Sequence, residues 1–122
     1  VASLRGTVPL YSDLEVVARG PRALASAAAA ELAAEAPAWW LHTDLDVLAS
    51  DQLAAVDYPQ PGGLTWEQLA EAEAAALALP GCAGWTVTIY NPDLDPDRSQ
   101  AARVVDHLAA VRPYLPAAPP AA

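Results

Sequence analysis

Apolar and polar positions alternate between two periods along this chain, and the switches mark its elements. Residues 22–36, RALASAAAAELAAEA, are strong helix formers, with Pro21 suited to a first turn and Pro37 unable to continue the helix. Ala38 to Asp44 follows as a short run led by Trp39, Trp40 and Leu41, which predicts a buried strand. Gly84 to Ile89, GWTVTI, predicts a second strand between turn residues, and Thr7 to Tyr11 a third, pushed to an edge or an end by Pro9. Ser12 with Glu15, and Thr65 with Gln68, have the spacing of capping boxes. They predict a short helix after Ser12 and a longer one from Thr65 to about Leu79. Asp97 or Ser99 is expected to cap a last helix ending near Val111. Residues 47–63 read as a long irregular loop, and residues 113–122 as a Pro- and Ala-rich tail, extended or disordered.

Strands alternating with helices predict the α/β class: a three-layer parallel sheet with helices on both faces. In such sheets ligands bind at the carboxyl ends of the strands. That makes WWLHTDLDVLAS, residues 39–50, the segment of interest, because Asp44 and Asp46 stand where its apolar run ends. Buried carboxylates left unpaired would cost several kcal/mol. At a strand's open end, two carboxylates at i and i+2 can instead share one side, about 6.5–7 Å apart. That spacing suits a binuclear metal site, and carboxylate oxygen suits hard ions such as Mn²⁺ or Mg²⁺. Asp-x-Asp alone is equally compatible with a pair that caps local N–H groups.

Charge and composition narrow the field. The net charge is −9 with six Lys and Arg among 122 residues, which argues against nucleic acid and anionic membrane surfaces. The longest apolar stretch, within residues 23–38, is broken by Glu31 and Glu35, so no membrane span is expected. A single cysteine, Cys82, allows no internal disulfide, which fits a cytoplasmic location. It is expected in the core rather than as a nucleophile. The chain begins at Val1 and holds no Met, as a processed product or a fragment would. His42 shares the side of the aspartates by strand parity and is expected to hydrogen-bond nearby. His107, beside Asp106, is expected on the surface, and Trp66 as packing after its helix cap. Asp93, Asp95 and Asp97 are spaced like a calcium loop, but Pro96 and the missing later Gly and Glu point to a solvated, helix-capping turn.

Three ordered blocks add to this. Asp44-Leu45-Asp46, then Pro59-Gln60-Pro61-Gly62-Gly63-Leu64-Thr65, then Gly84 to Pro92 (GWTVTIYNP) resemble the ureohydrolase family of arginase, agmatinase and formimidoylglutamase, over about residues 36–112. The resemblance implies residues 1–112 as the C-terminal part of an arginase-like α/β domain. It implies a Mn²⁺-dependent hydrolase of guanidino or related C–N bonds, in which two bridged ions activate a water. Asp44 and Asp46 inherit the role of metal ligands. Where the family has Asp-Pro after this motif, Ala49-Ser50 stand here. Ile89 replaces a substrate-binding Glu, and Thr86 an Asp, so no carboxylate is offered to a guanidinium on that strand. The family's upstream Gly-Gly-Asp-His and Asp-Ala-His-x-Asp stretches are absent, and two aspartates cannot complete the shells of two hard ions. This chain alone is therefore expected to be inactive, and to self-associate or pair with a missing N-terminal half. The alternatives are a non-catalytic relative serving assembly or regulation, and an unrelated small α/β binding domain.

Overall fold

A computed structural model of the chain describes residues 8–117. Helix α1 (Asp13–Arg19) and helix α2 (Pro21–Glu35) lead into strand β1 (Trp39–Asp44). Helix α3 (Trp66–Leu77) connects β1 to strand β2 (Cys82–Thr88), and helix α4 (Ser99–Val111) follows. Both capping boxes form. The Ser12 hydroxyl accepts from the Glu15 N–H while Glu15 accepts from the Ser12 N–H, and Thr65 and Gln68 do the same for α3.

β1 and β2 pair in parallel, from Trp40 opposite Gly84 to Asp44 opposite Thr88. The α/β class stands, but the sheet has two strands among the described residues rather than three. Residues 8–11 join no named strand, and Thr7 lies outside the described part. Pro9 lacks the N–H that a ladder needs, and the segment runs straight into the cap of α1.

The strands are amphipathic by parity. Trp39, Leu41, Trp85 and Val87 pack into two apolar clusters built with α3 and α4. One cluster centres on Leu45, Leu53 and Trp66, the other on Ala29, Trp39, Leu77 and Val111. The opposite parity leaves Trp40, His42, Asp44 and Thr88 exposed, with Trp40 at 56%. A parallel sheet with one face open is unusual.

Three expectations change. The loop 47–63 is irregular in backbone but not peripheral: Leu48, Leu53, Ala55 and Val56 are core residues. It is held by Gln100, whose side-chain oxygen accepts from the N–H groups of Ala54 and Ala55, and by Trp66, whose indole donates to Gln52 O. The turn before α4 is not fully solvated, because Asp95 is 1% exposed. Asp95, not only Asp97, caps the helix: it accepts from the Gln100 and Ala101 N–H groups and from the Tyr90 hydroxyl. At the far end, Arg112–Tyr114 form a 3-10 turn and Leu115 packs on the second cluster, while residues 118–122 lie outside the described part.

Candidate functional site

The site is built where β1 ends. Asp44 is the last residue of the strand, and the chain turns at once into a 3-10 turn, Leu45–Val47, that carries Asp46. Strand parity therefore places Asp44, and the turn places Asp46. Leu45, between them, is 1% exposed and anchors the corner in the core. Both carboxylates lie at the carboxyl end of the sheet, where an α/β fold leaves its cleft.

A polar ladder runs along the open face toward Asp44. The Trp40 indole donates to Thr86 Oγ1 at 3.3 Å. His42 Nδ1 lies 2.7 Å from the same hydroxyl, and His42 Nε2 lies 2.9 Å from Asp44 Oδ1. The Thr88 hydroxyl donates to that same Oδ1. The Thr88 hydroxyl above all holds the Asp44 carboxyl below its ordinary pKa; desolvation opposes it, and the His42 ring adds to the lowering. His42 thus stands beside the carboxylate as expected. Thr86 and Thr88, which occupy β2 opposite it, are the partners that sequence reasoning missed. Their alternation with Val87 was the available signal: two hydroxyls on the parity opposite the apolar residues.

The segment after Asp46 explains the Pro-x-Pro-Gly-Gly-Leu-Thr block. Leu48 and Leu64 form a parallel bridge, with Leu64 N–H donating to Val47 O and Ala49 N–H to Leu64 O, both at 2.9 Å. Gly63, at φ +107°, comes so near that a Cβ would sit 2.5 Å from Ala49 N. Its N–H donates to Asp13 Oδ2 at 2.8 Å, which lowers the Asp13 pKa. The glycine pair therefore lets the loop lie flat on the turn that carries Asp46. On the other side, Asn91 donates to Asp57 through its side chain, and its N–H donates to Ala55 O. Ile89, just beyond Thr88, has φ +84°, a left-handed conformation that costs a β-branched residue energy.

A metal ion is a chemical fit for part of this set. Asp44 Oδ1 is engaged by its neighbours, while Oδ2 and the Asp46 carboxylate have no hydrogen-bond partner among the described residues. Hard oxygen donors of this kind suit Mn²⁺ or Mg²⁺. The number does not suffice: no group of three or more His, Cys, Asp or Glu able to hold an ion occurs among the described residues. His42 turns its Nε2 toward Asp44 rather than outward. A groove of about 520 Å³ flanks β1, lined by Ala28 and Leu32 of α2, Ala72 of α3, and His42, Asp44 and Val47.

His107 does not lie on the surface. It is 6% exposed, and its Nε2 lies 2.6 Å from Glu73 Oε2, a buried pair that the sequence reasoning did not anticipate. Cys82 and Trp66 are buried, in the packing roles expected of them. No helix among the described residues is long and apolar enough to cross a membrane.

Comparison with known proteins follows the same lines. The sequence model of the Arginase family matches residues 3–111. Among solved structures, the fold is similar to formimidoylglutamase from Bacillus subtilis subsp. subtilis str. 168, with a TM-score of 0.79 and 20% identity over 90% of this chain and 34% of that one. It is similar to arginase from Helicobacter pylori, at 0.79 and 18% over 93% and 38%. It is similar to arginase from Bacillus caldovelox, at 0.74 and 25% over 90% and 37%. The chain spans little more than a third of the length of these proteins. No curated protein matches it.

Proposed function

The chain belongs to the arginase family, and we propose that Asp44 and Asp46 are metal ligands, contributed by this segment to the Mn²⁺ site of a ureohydrolase-like enzyme. The observation that carries the proposal is the corner itself: two carboxylates at the carboxyl end of a parallel strand, with Asp44 Oδ2 and Asp46 left without hydrogen-bond partners among the described residues. Bound Mn²⁺ would supply Lewis acidity and a water of lowered pKa for hydrolysis of a C–N bond. The residues present do the rest of the local work. His42 and Thr88 fix Asp44 in its ionised form and orient it, and Leu45 holds the corner rigid.

The substrate is a small guanidino or related compound whose C–N bond is cleaved. Its cation is not met by a carboxylate from β2, where Thr86, Thr88 and Ile89 stand. The remaining ligands come from a further segment, the N-terminal part of the same protein or a second copy, seated against the free edge of β1. Support for such a neighbour is the edge of β1 that carries no further named strand among the described residues, the groove beside it and the exposed Trp40. On this proposal residues 1–112 are the C-terminal part of the arginase-like domain, the segment after them stays attached to it through Leu115, and the chain alone is inactive.

A second reading, a non-catalytic relative that serves assembly, is favoured by one observation: no third ligand joins the aspartates among the described residues. The two separate on whether Mn²⁺ binds at this corner. Binding at the corner that is lost in Asp44→Asn and in Asp46→Asn supports the metal site, and binding there that neither substitution changes overturns it.

A further inference from the structure

We infer that Thr43, Glu73 and His107 form a buried relay that sets the position of the Asp44 end of β1, which makes Glu73 and His107 positioning residues for the carboxylate corner. Three elements meet at one hydroxyl, and a fourth joins through the carboxylate it bonds. Thr43, on β1, donates to Glu73 Oε1 on α3 at 2.7 Å and accepts from the Trp85 indole of β2 at 3.1 Å. Glu73 Oε2 then meets His107 Nε2 of α4 at 2.6 Å, with both side chains 3% exposed. Neither of these two buried atoms makes a hydrogen bond among the described residues, so each has only this close approach to the other. The His107 ring is boxed in by Trp66, 5.0 Å away between centroids, and by Trp85 at 6.3 Å.

The argument is one of cost and place. Packing alone would be served as well by apolar residues of similar volume, because desolvation offsets most of what a buried ion pair gains. Buried hydrogen bonds such as the two on the Thr43 hydroxyl do something packing does not: they fix one geometry. This network fixes Thr43, the residue immediately before Asp44. Thr43 points into the core and Asp44 to the open face, so the hydroxyl's two bonds pin the backbone from which the carboxylate projects. They act at the last point before the strand gives way to the turn carrying Asp46. Other charges near His107 are Arg103 and Asp106 on its own helix and Glu67 on α3, around the same shallow surface pocket. None of them takes part in the network.

The functional meaning of the relay rests on Asp44 being a ligand, while its structural claim does not, and the test separates them. The reporter is the NMR cross-peak between the His42 ring and the Thr88 side chain, two groups that share Asp44 Oδ1. Thr43→Val keeps shape and removes the hydroxyl, and Thr43→Ser restores it. Val111→Ala weakens the core without touching Thr43. We expect the cross-peak to be lost in Thr43→Val, and kept in Thr43→Ser and Val111→Ala. If Thr43→Val fails to fold, Glu73→Gln, which keeps an acceptor for Thr43 but removes the charge facing His107, takes its place and should weaken the cross-peak. A cross-peak unchanged in Thr43→Val, or in Glu73→Gln where that variant stands in, overturns the relay. So does equal loss in Thr43→Ser and Thr43→Val. Mn²⁺ added to the wild-type chain reads the other question. If it leaves the Asp44 signals untouched while the variants behave as expected, the ligand assignment falls and the relay stands.

Discussion

Gly63 and Gly84 present the same substitution with opposite expected outcomes. At Gly63 a Cβ would meet backbone, Ala49 N at 2.5 Å and Leu48 C at 2.7 Å, on a φ of +107°. Gly63→Ala is therefore expected to lower stability by roughly 2 kcal/mol or more, from left-handed strain plus a clash that only a backbone shift can relieve. At Gly84 the Cβ would meet the Trp40 indole at 2.3 Å, but that ring is over half exposed and can swing away. Gly84→Ala should cost about 1 kcal/mol or less, and urea denaturation of the two variants checks the contrast. Asp95 gives a pH prediction at the same scale. Burial works to raise its pKa, but the Ala101 and Gln100 N–H groups, the Tyr90 hydroxyl and Asp97 outweigh it, and the net direction is down. A carboxyl lowered on folding contributes stability that is complete above its unfolded value. That stability is lost as pH falls through the folded one, so acid weakens the protein below about pH 4. Thermal melts should show that acid slope reduced in Asp95→Asn. A slope unchanged by the substitution would place the acid sensitivity elsewhere.

Elements were legible in the sequence where local chemistry decided them. Ser12 with Glu15 and Thr65 with Gln68 named two helix starts, and Pro37 named a stop, because caps and prolines act within a few residues. What depended on distant partners was not legible. Thr7 to Tyr11 had strand-like composition, but Pro9 to Tyr11 form no strand, and Thr7 lies outside the described residues. His107 was misplaced because Asp106 stands beside it in sequence, although every third or fourth position tells a different story. Val104, His107 and Val111 form one stripe of α4, and Leu69, Glu73, Ala76 and Leu77 one stripe of α3. A carboxylate and an imidazole each on an apolar stripe signal a buried pair, and that pattern was there to be read. The pair's energetics belong to this scale. His107→Ala leaves Glu73 buried and uncompensated, and should lower stability by about 3–5 kcal/mol. Glu73→Leu combined with His107→Leu removes both charges and should recover most of that loss. A double variant as unstable as the single one would contradict the account.

For the molecule as a whole, the placing of Asp44 at the carboxyl end of a strand was legible in the sequence because the apolar run that stops there is local. What could not be read was how Asp46 is placed: the strand stops at Asp44, and a turn held by Leu64 and Gly63 takes over. Among the described residues the sheet has two strands, with Trp40, His42 and Asp44 along an exposed face. At a net charge of −9, a cation will be drawn to many places on this surface, so location rather than affinity is decisive. The direct measurement is a Mn²⁺ titration of the isotopically labelled chain, reading paramagnetic broadening residue by residue. The account predicts that Asp44 to Val47 broaden first, and that Asp44→Asn and Asp46→Asn each abolish that preference. Broadening that begins at Asp93 to Asp97, or spreads evenly over the acidic surface and ignores both substitutions, would contradict it.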